Sequence, residues 1–118
     1  MIIDDTSVLI GSANINDRSL LGHRDSEIGI FIVDNKSVNT RMNGRVFKAR
    51  QFAHRMRLQL YQELFDLPLE DLVDPLDRDL LAKIDRQVRQ NTEIYRECFG
   101  AIPDDNIRTV RDIETLRE

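Results

Sequence analysis

The stretch IGSANINDRSLLGHRDSEIGI, residues 10–30, places small polar and charged side chains between two strongly apolar runs. A segment of this length without regular structure is usually functional or disordered. The runs that flank it, VLI at 8–10 and EIGIFIV at 27–33, argue against disorder. Upstream, residues 1–3 and 8–10 are short, apolar and largely β-branched, and Asp4, Asp5, Thr6 and Ser7 between them are turn formers. That pattern predicts a β-hairpin. Residues 27–33 predict a third strand. Being apolar at nearly every position, it is expected to be buried on both faces in the centre of a helix-covered sheet.

Downstream, residues 34–42 are polar and read as a connection. Val46, Ala49, Ala53, Met56, Leu60 and Leu64 recur at steps of three and four, which predicts a helix over 44–65. Arg45, Lys48, Arg50, Arg55 and Arg57 fall largely off that stripe and read as its solvated side, with contact to anionic lipid as the alternative, and His54 reads as a helix-surface or packing residue. Residues 67–73 form an acidic, Leu-rich connection. A second long helix is expected to start with Asp74 as N-cap and Pro75 at the first helical position. Its buried side is marked by Leu76, Leu80, Ile84, Val88, Tyr95 and Phe99, and Gly100 caps its end. Val110, Ile113 and Leu116 predict one more helix in the tail. The expected fold class is therefore α/β, with three short strands followed by two long helices that supply part of a layered sandwich, in one domain over 1–118.

The chain has 118 residues, enough for one small domain with a core of modest margin. Its 41% apolar and 32% charged residues are ordinary globular proportions, so a disordered or fibrous class is not expected. A net charge of -4 gives no electrostatic reason to expect a nucleic-acid partner. The lone cysteine, Cys98, excludes an internal disulfide framework and suits a reducing compartment; nothing around it activates a nucleophile. No apolar run approaches the roughly 20 residues that a membrane-spanning helix needs. Met1 is followed by two Ile and two Asp without a basic segment, so no signal peptide is read. The strand-like start suggests a chain cut within an element.

Between Ile10 and Glu27 the chemistry is concentrated. Gly11 and Ser12 let the backbone turn sharply and approach a ligand. Ser12, Asn14 and Asn16 offer neutral donors, while Arg18, His23 and Arg24 offer positive charge. Asp17, Asp25 and Glu27 are acceptors that orient a basic partner. Donors and cations at the end of buried strands suit a phosphate or carboxylate ligand. A polar loop braced by Asx turns and surface ion pairs is the plainer alternative.

The order of residues adds to this. MIIDDTSVLIGSANINDRSLLGHRDSE resembles the end of the second catalytic motif of eukaryotic phospholipase D, H-x-K-x-x-x-x-D followed by G-S-x-N. Asp4 matches the motif Asp, and Gly11-Ser12-Ala13-Asn14 matches G-S-x-N. The words N-D-R-S and R-D-S-E resemble the phosphatidylcholine-specific enzymes in particular; more distant superfamily members usually lack them. A looser resemblance continues through FAHRMRLQLYQELF and NTEIYRECFGAIPDD. The motif His would fall four residues before Met1 and its Lys two before.

The resemblance implies a phospholipase D-type α-β-α sandwich, of which this chain is the end of the second lobe. It implies two facing motif copies, one His attacking phosphorus and the other protonating the leaving oxygen and then activating water. On this chain Asn14 would donate to a phosphate oxygen, and Ser12 would bind near the phosphate or support its loop. Glu27 would accept from the ring N–H of the motif His and fix its tautomer. Asp4 would brace the motif, although a hairpin-turn Asp fits equally well. Gly11, Asp17, Arg18, Arg24 and Asp25 would support the loop, the last two together with Arg18 either through ion pairs or at the site itself. His23 and His54 do not match the motif His. No metal and no cofactor is implied.

The expected function is thus part of a phospholipase D that hydrolyses phosphatidylcholine to phosphatidic acid and choline. The implied partners are the lipid substrate, a membrane surface met peripherally from the cytoplasm, and the remainder of the catalytic domain. Without the motif His and Lys, the chain alone is expected to be inactive. The alternative is a non-catalytic truncated isoform that binds lipid or a partner. A relative acting on DNA is disfavoured by the acidic charge and by R-D-S-E.

Overall fold

The computed structural model describes residues 1–99 and Thr109. The expected Gly100 cap and the expected tail-helix positions Val110, Ile113 and Leu116 lie outside the described residues. The chain divides into two compact units, Met1–Leu80 and Leu81–Glu118.

In the first unit, β1 (Ile2–Ile3), β2 (Ser7–Gly11) and β3 (Gly29–Ile32) form an antiparallel sheet in the order β1-β2-β3. Val8 lies opposite both Ile2 and Ile32, and Gly11 opposite Gly29. The predicted hairpin is present. Asp4 and Asp5 both take left-handed backbone angles, φ 48° and 50°, and the Thr6 N–H donates to the Ile3 carbonyl at 2.8 Å. Asp tolerates that region better than most residues, because its short polar side chain bonds locally.

A second hairpin follows, β4 (Ser37–Met42) paired with β5 (Arg45–Arg50). Asn43 and Gly44 turn it with φ 54° and 73°, the left-handed pair that a tight two-residue hairpin requires. The Arg50 N–H donates to the Asp5 carbonyl at 2.8 Å, which ties this hairpin to the first turn. α2 (Gln51–Phe65) starts where β5 ends; its Phe52 N–H is met by the Asp34 carboxylate at 2.5 Å. α2 packs against β5, β1 and β2. The core consists of Val8, Ala49, Ala53, Leu72 and Leu80.

Several expectations are corrected here. Residues 37–42 are a strand and not a connection, and residues 45–50 are its partner and not the first turns of a helix. The helical spacing of Val46 and Ala49 was coincidental: in an alternating strand Ala49 faces in and Val46 is 83% exposed. The run at 27–33 does not lie buried in a sheet centre. β3 is an edge strand, and Ile28, Ile30, Phe31 and Val33 are exposed, because no layer among the described residues covers them. Arg57 is buried, not solvated; His54 is also buried, which selects the packing alternative of its reading.

Asp74 does not cap the second long helix. α3 (Arg78–Cys98) begins later, and the Asp77 carboxylate accepts from the Asp79 and Leu80 N–H groups at 3.0 and 2.9 Å. Asp74 instead clamps the second hairpin, accepting from Asn43 N–H at 2.8 Å, Gly44 N–H at 2.6 Å and Leu76 N–H at 3.0 Å. Burial works against its charge, but the three N–H groups outweigh it and hold the carboxyl below its ordinary range. Asp74→Ala is expected to destabilise the fold by about 1–2 kcal/mol, the scale of a lost helix cap. Asp74→Asn, which keeps one acceptor oxygen, should lose less. Urea denaturation of the two variants checks the order.

In the second unit the described residues continue α3 to Cys98. Arg89 pairs with Asp85 one turn earlier at 2.9 Å, and the rings of Tyr95 and Phe99 lie 4.7 Å apart. Of the residues expected to mark the buried side of this helix, Leu80 is buried, whereas Leu76, Val88, Tyr95 and Phe99 are exposed. Among the described residues no helix is long and apolar enough to cross a membrane.

Candidate active-site loop

The loop leaves β2 at Gly11 and returns at Gly29. At its start the two strands come unusually close. A Cβ built on Gly11 would stand 2.8 Å from the Ile28 carbonyl oxygen and 3.0 Å from Gly29 Cα, both backbone atoms that cannot swing aside. Glycine is required here for close approach. The Ser12 N–H then donates to the Ile28 carbonyl at 3.0 Å.

From this junction a chain of polar contacts is built. The Ser12 hydroxyl accepts from the Ile28 N–H at 3.1 Å and donates to the Glu27 carboxylate. The Ser19 hydroxyl lies near Glu27 and favours its charged form. The Ser19 oxygen accepts in turn from the Asn14 N–H at 3.0 Å. Ser12, Asn14, Ser19 and Glu27 thereby share one network. The hydrogen bond from Ser12, then the Ser19 hydroxyl, holds the Glu27 carboxyl below its ordinary range.

Ser19 is placed by local sequence. Asn16 caps the single helical turn α1 (Asp17–Leu20), its side-chain oxygen accepting from the Ser19 N–H at 3.1 Å. The signal was present in N-x-x-S, a capping residue three positions before a small polar one. Asp17 occupies the first turn of α1, with its carbonyl accepting from the Leu21 N–H at 3.1 Å. Arg18 pairs with Asp25 at 2.7 Å across the loop, and the Asp25 N–H returns to the Arg18 carbonyl at 3.2 Å. Both groups are solvent-accessible, so the pair holds shape more than it adds stability. The Arg24 backbone closes a turn onto Leu21 at 3.0 Å. Arg24 and His23 are exposed. Among the described residues the Asn14 amide makes only a long contact, 3.5 Å to the Ser12 carbonyl, and Asn14 is exposed.

Asp4 stands apart. It is exposed in the hairpin turn at the other end of β2 from Gly11. Its neighbour Asp5 is the buried carboxylate, 2% exposed, gripped by Arg57 through two bonds at 2.7 and 2.8 Å and by the His54 ring at 2.8 Å. This triad was not anticipated, since its members lie about fifty positions apart in sequence. It anchors the strand that leads to the loop. No group of three or more His, Cys, Asp or Glu suited to a metal ion occurs among the described residues.

Gly11→Ala is expected to destabilise the chain by about 1–3 kcal/mol, the cost of forcing atoms into a filled space. It should also disturb the amide resonances of Ser12 and Ile28. Gly22→Ala, where an added Cβ meets nothing within 4 Å, should leave both readings unchanged.

Residues 1–104 match the family model described as phospholipase D. Phospholipase D zeta 1 of Arabidopsis thaliana is 43% identical over 113 residues, covering 92% of this chain and 10% of that protein. Phospholipase D1 of Homo sapiens is 37% identical over 114 residues, covering 93% of this chain and 11% of that protein. Phospholipase D B of Dictyostelium discoideum is 38% identical over 104 residues. The chain spans about a tenth of the length of these relatives. With a match over most of its residues, and with its mixed α/β architecture of small antiparallel sheets and helices, the chain belongs to the phospholipase D family.

Proposed function

We propose that this chain forms part of the catalytic domain of a phospholipase D that hydrolyses phosphatidylcholine to phosphatidic acid and choline. The observation that carries the reading is the network joining Ser12, Asn14, Ser19 and Glu27, with the Asn14 amide left exposed beside it. A neutral amide held this way suits a phosphate oxygen as charge builds on it. A carboxylate kept ionised by two hydroxyls suits the ring N–H of a histidine.

In the proposed reaction a motif His attacks phosphorus and the bond to the choline oxygen breaks. The second His gives that oxygen its proton. Water then attacks the phosphohistidine, losing its proton to the same group, and phosphatidic acid leaves. Asn14 binds a non-bridging oxygen throughout, and Glu27 orients the His of its own motif copy. Ser12 serves by fixing Glu27. Asp4 braces the hairpin. Gly11, Asp17, Arg18, Arg24 and Asp25 hold the loop's shape. The His and Lys of the motif come from sequence upstream of Met1 and from the other lobe. The membrane is met peripherally, from the cytoplasmic side.

The test starts with the native transcript, read in frame upstream of Met1. A sequence of the form H-x-K-x directly before Met1 is expected. The longer protein should release choline from phosphatidylcholine vesicles, and the 118-residue chain alone should release none. Release by the chain alone would overturn the assigned need for the upstream residues. An upstream stop codon would turn the reading to a non-catalytic binding fragment.

A further inference from the structure

At the opposite end of β2 from the loop lies a groove of about 390 Å³ between the first sheet and the β4–β5 hairpin. Its chemistry is one-sided. Lys48 and Arg50 line it from β5, and no carboxylate does. Among the described residues neither cation has an ion-pair partner. Asp5, whose backbone carbonyl accepts from the Arg50 N–H, has its charge engaged by Arg57 and His54. Asp34, the other neighbour, is turned to the start of α2.

The groove also holds an unspent hydroxyl. Ser7 is only 8% exposed and lines the groove, and among the described residues its side chain has no hydrogen-bond partner. A groove-lining hydroxyl without a partner is a donor available to a ligand oxygen. Ser37, paired with Arg50 in the hairpin register, adds a second hydroxyl, whereas that of Thr6 is spent on the Ile3 carbonyl at 2.9 Å. Two unpaired cations and two free hydroxyls match the charge and acceptor oxygens of a phosphate monoester.

We propose that this groove is a second anion site, which binds a phosphate monoester through Lys48, Arg50, Ser7 and Ser37. It does not rest on the catalytic reading above. Ser7 and Gly11 are separated by four strand steps, about 13 Å at roughly 3.3 Å per residue, so the two regions are distinct. Phe31 and Val33 form an exposed apolar wall beside the cations, 63% and 52% exposed. The monoester can therefore come as a free phosphate or as a lipid headgroup whose chains meet that wall.

The experiment is an amide NMR titration of the full chain with inorganic phosphate, beside co-sedimentation with phosphatidylcholine vesicles with and without phosphatidic acid. Saturable shifts at Ser7, Ser37, Lys48 and Arg50 are expected. Lys48→Gln, on an exposed side chain that leaves the core intact, should weaken binding at least tenfold, and Ser7→Ala should weaken it less. Shifts with phosphate but equal sedimentation with both vesicles would assign the free anion. Sedimentation that needs phosphatidic acid and Lys48 would assign the headgroup. Absence of both responses, or a response unchanged in Lys48→Gln, would overturn the proposal.

Discussion

Replacing Arg57 by methionine is expected to destabilise the fold by about 3–5 kcal/mol, the range for a buried charge stripped of its partner. The guanidinium spends its donors four ways: on both Asp5 oxygens, on the Leu72 carbonyl at 2.7 Å and on the Val73 carbonyl at 3.1 Å. It also lies 5.5 Å from the centre of the Tyr61 ring. Methionine fills similar volume but leaves the Asp5 carboxylate and two carbonyls without these donors. A domain of this size has about 5–15 kcal/mol in total, so the loss is a large fraction of it. Arg57→Lys keeps the charge but not the planar fork, and should lose an intermediate amount. Adding Asp5→Asn to Arg57→Met removes the stranded charge and should recover part of the loss. Urea denaturation of these variants together with the Asp5→Asn single reads the coupling; a double variant as unstable as the sum of its singles would refute it.

The same triad sets an acid limit. Burial pushes the Asp5 carboxyl up, but the hydrogen bonds and charges of Arg57 and His54 outweigh it and leave the group below its ordinary value of 3.8. A carboxyl depressed on folding adds stability that is fully present above that value. The contribution is lost as pH falls through the lower value of the folded state. Acid unfolding should therefore begin below about pH 4 and be blunted in Arg57→Met.

What the sequence disclosed follows how local each signal was. The first hairpin was legible, because its turn formers and flanking apolar runs are contiguous. The Asn43-Gly44 hairpin was equally local, but Val46 and Ala49 happen to continue the helical spacing of Ala53 and Met56, and the period overrode the turn. The triad was illegible for a different reason. A charged residue on a helix normally reads as solvated, and Asp5 reaches Arg57 only once the hairpin folds back on α2. In the loop, the residue types suited to anion binding were readable. The relay through Ser19 was not, since it needs the Asn16 cap to bring that hydroxyl under Glu27. The exposed face of β3 shows the reverse case: its apolar pattern pointed to burial, yet nothing among the described residues covers it.

In the longer enzyme proposed above, Asn14→Ala is expected to lower kcat by about 10²–10³, the usual loss on removing one preorganised donor to a developing oxyanion. The amide is held near the network by its own backbone N–H, so the side chain can be cut without releasing the loop. KM should change little, because the donor is worth most where charge concentrates in the transition state. Ser12→Ala should act differently. Its hydroxyl is committed to the Glu27 carboxylate and the Ile28 N–H, and it is the largest influence holding that carboxyl down. Removing it raises the Glu27 value towards the ordinary range. The acidic limb of the kcat/KM profile should then move to higher pH, with a smaller loss at the plateau, whereas Asn14→Ala should leave the limb in place. A Ser12→Ala profile that drops uniformly without moving would mean that Ser12 binds phosphate directly. The two variants thus separate a group that touches the reacting phosphate from one that acts through its neighbour, a distinction that residue type alone does not make.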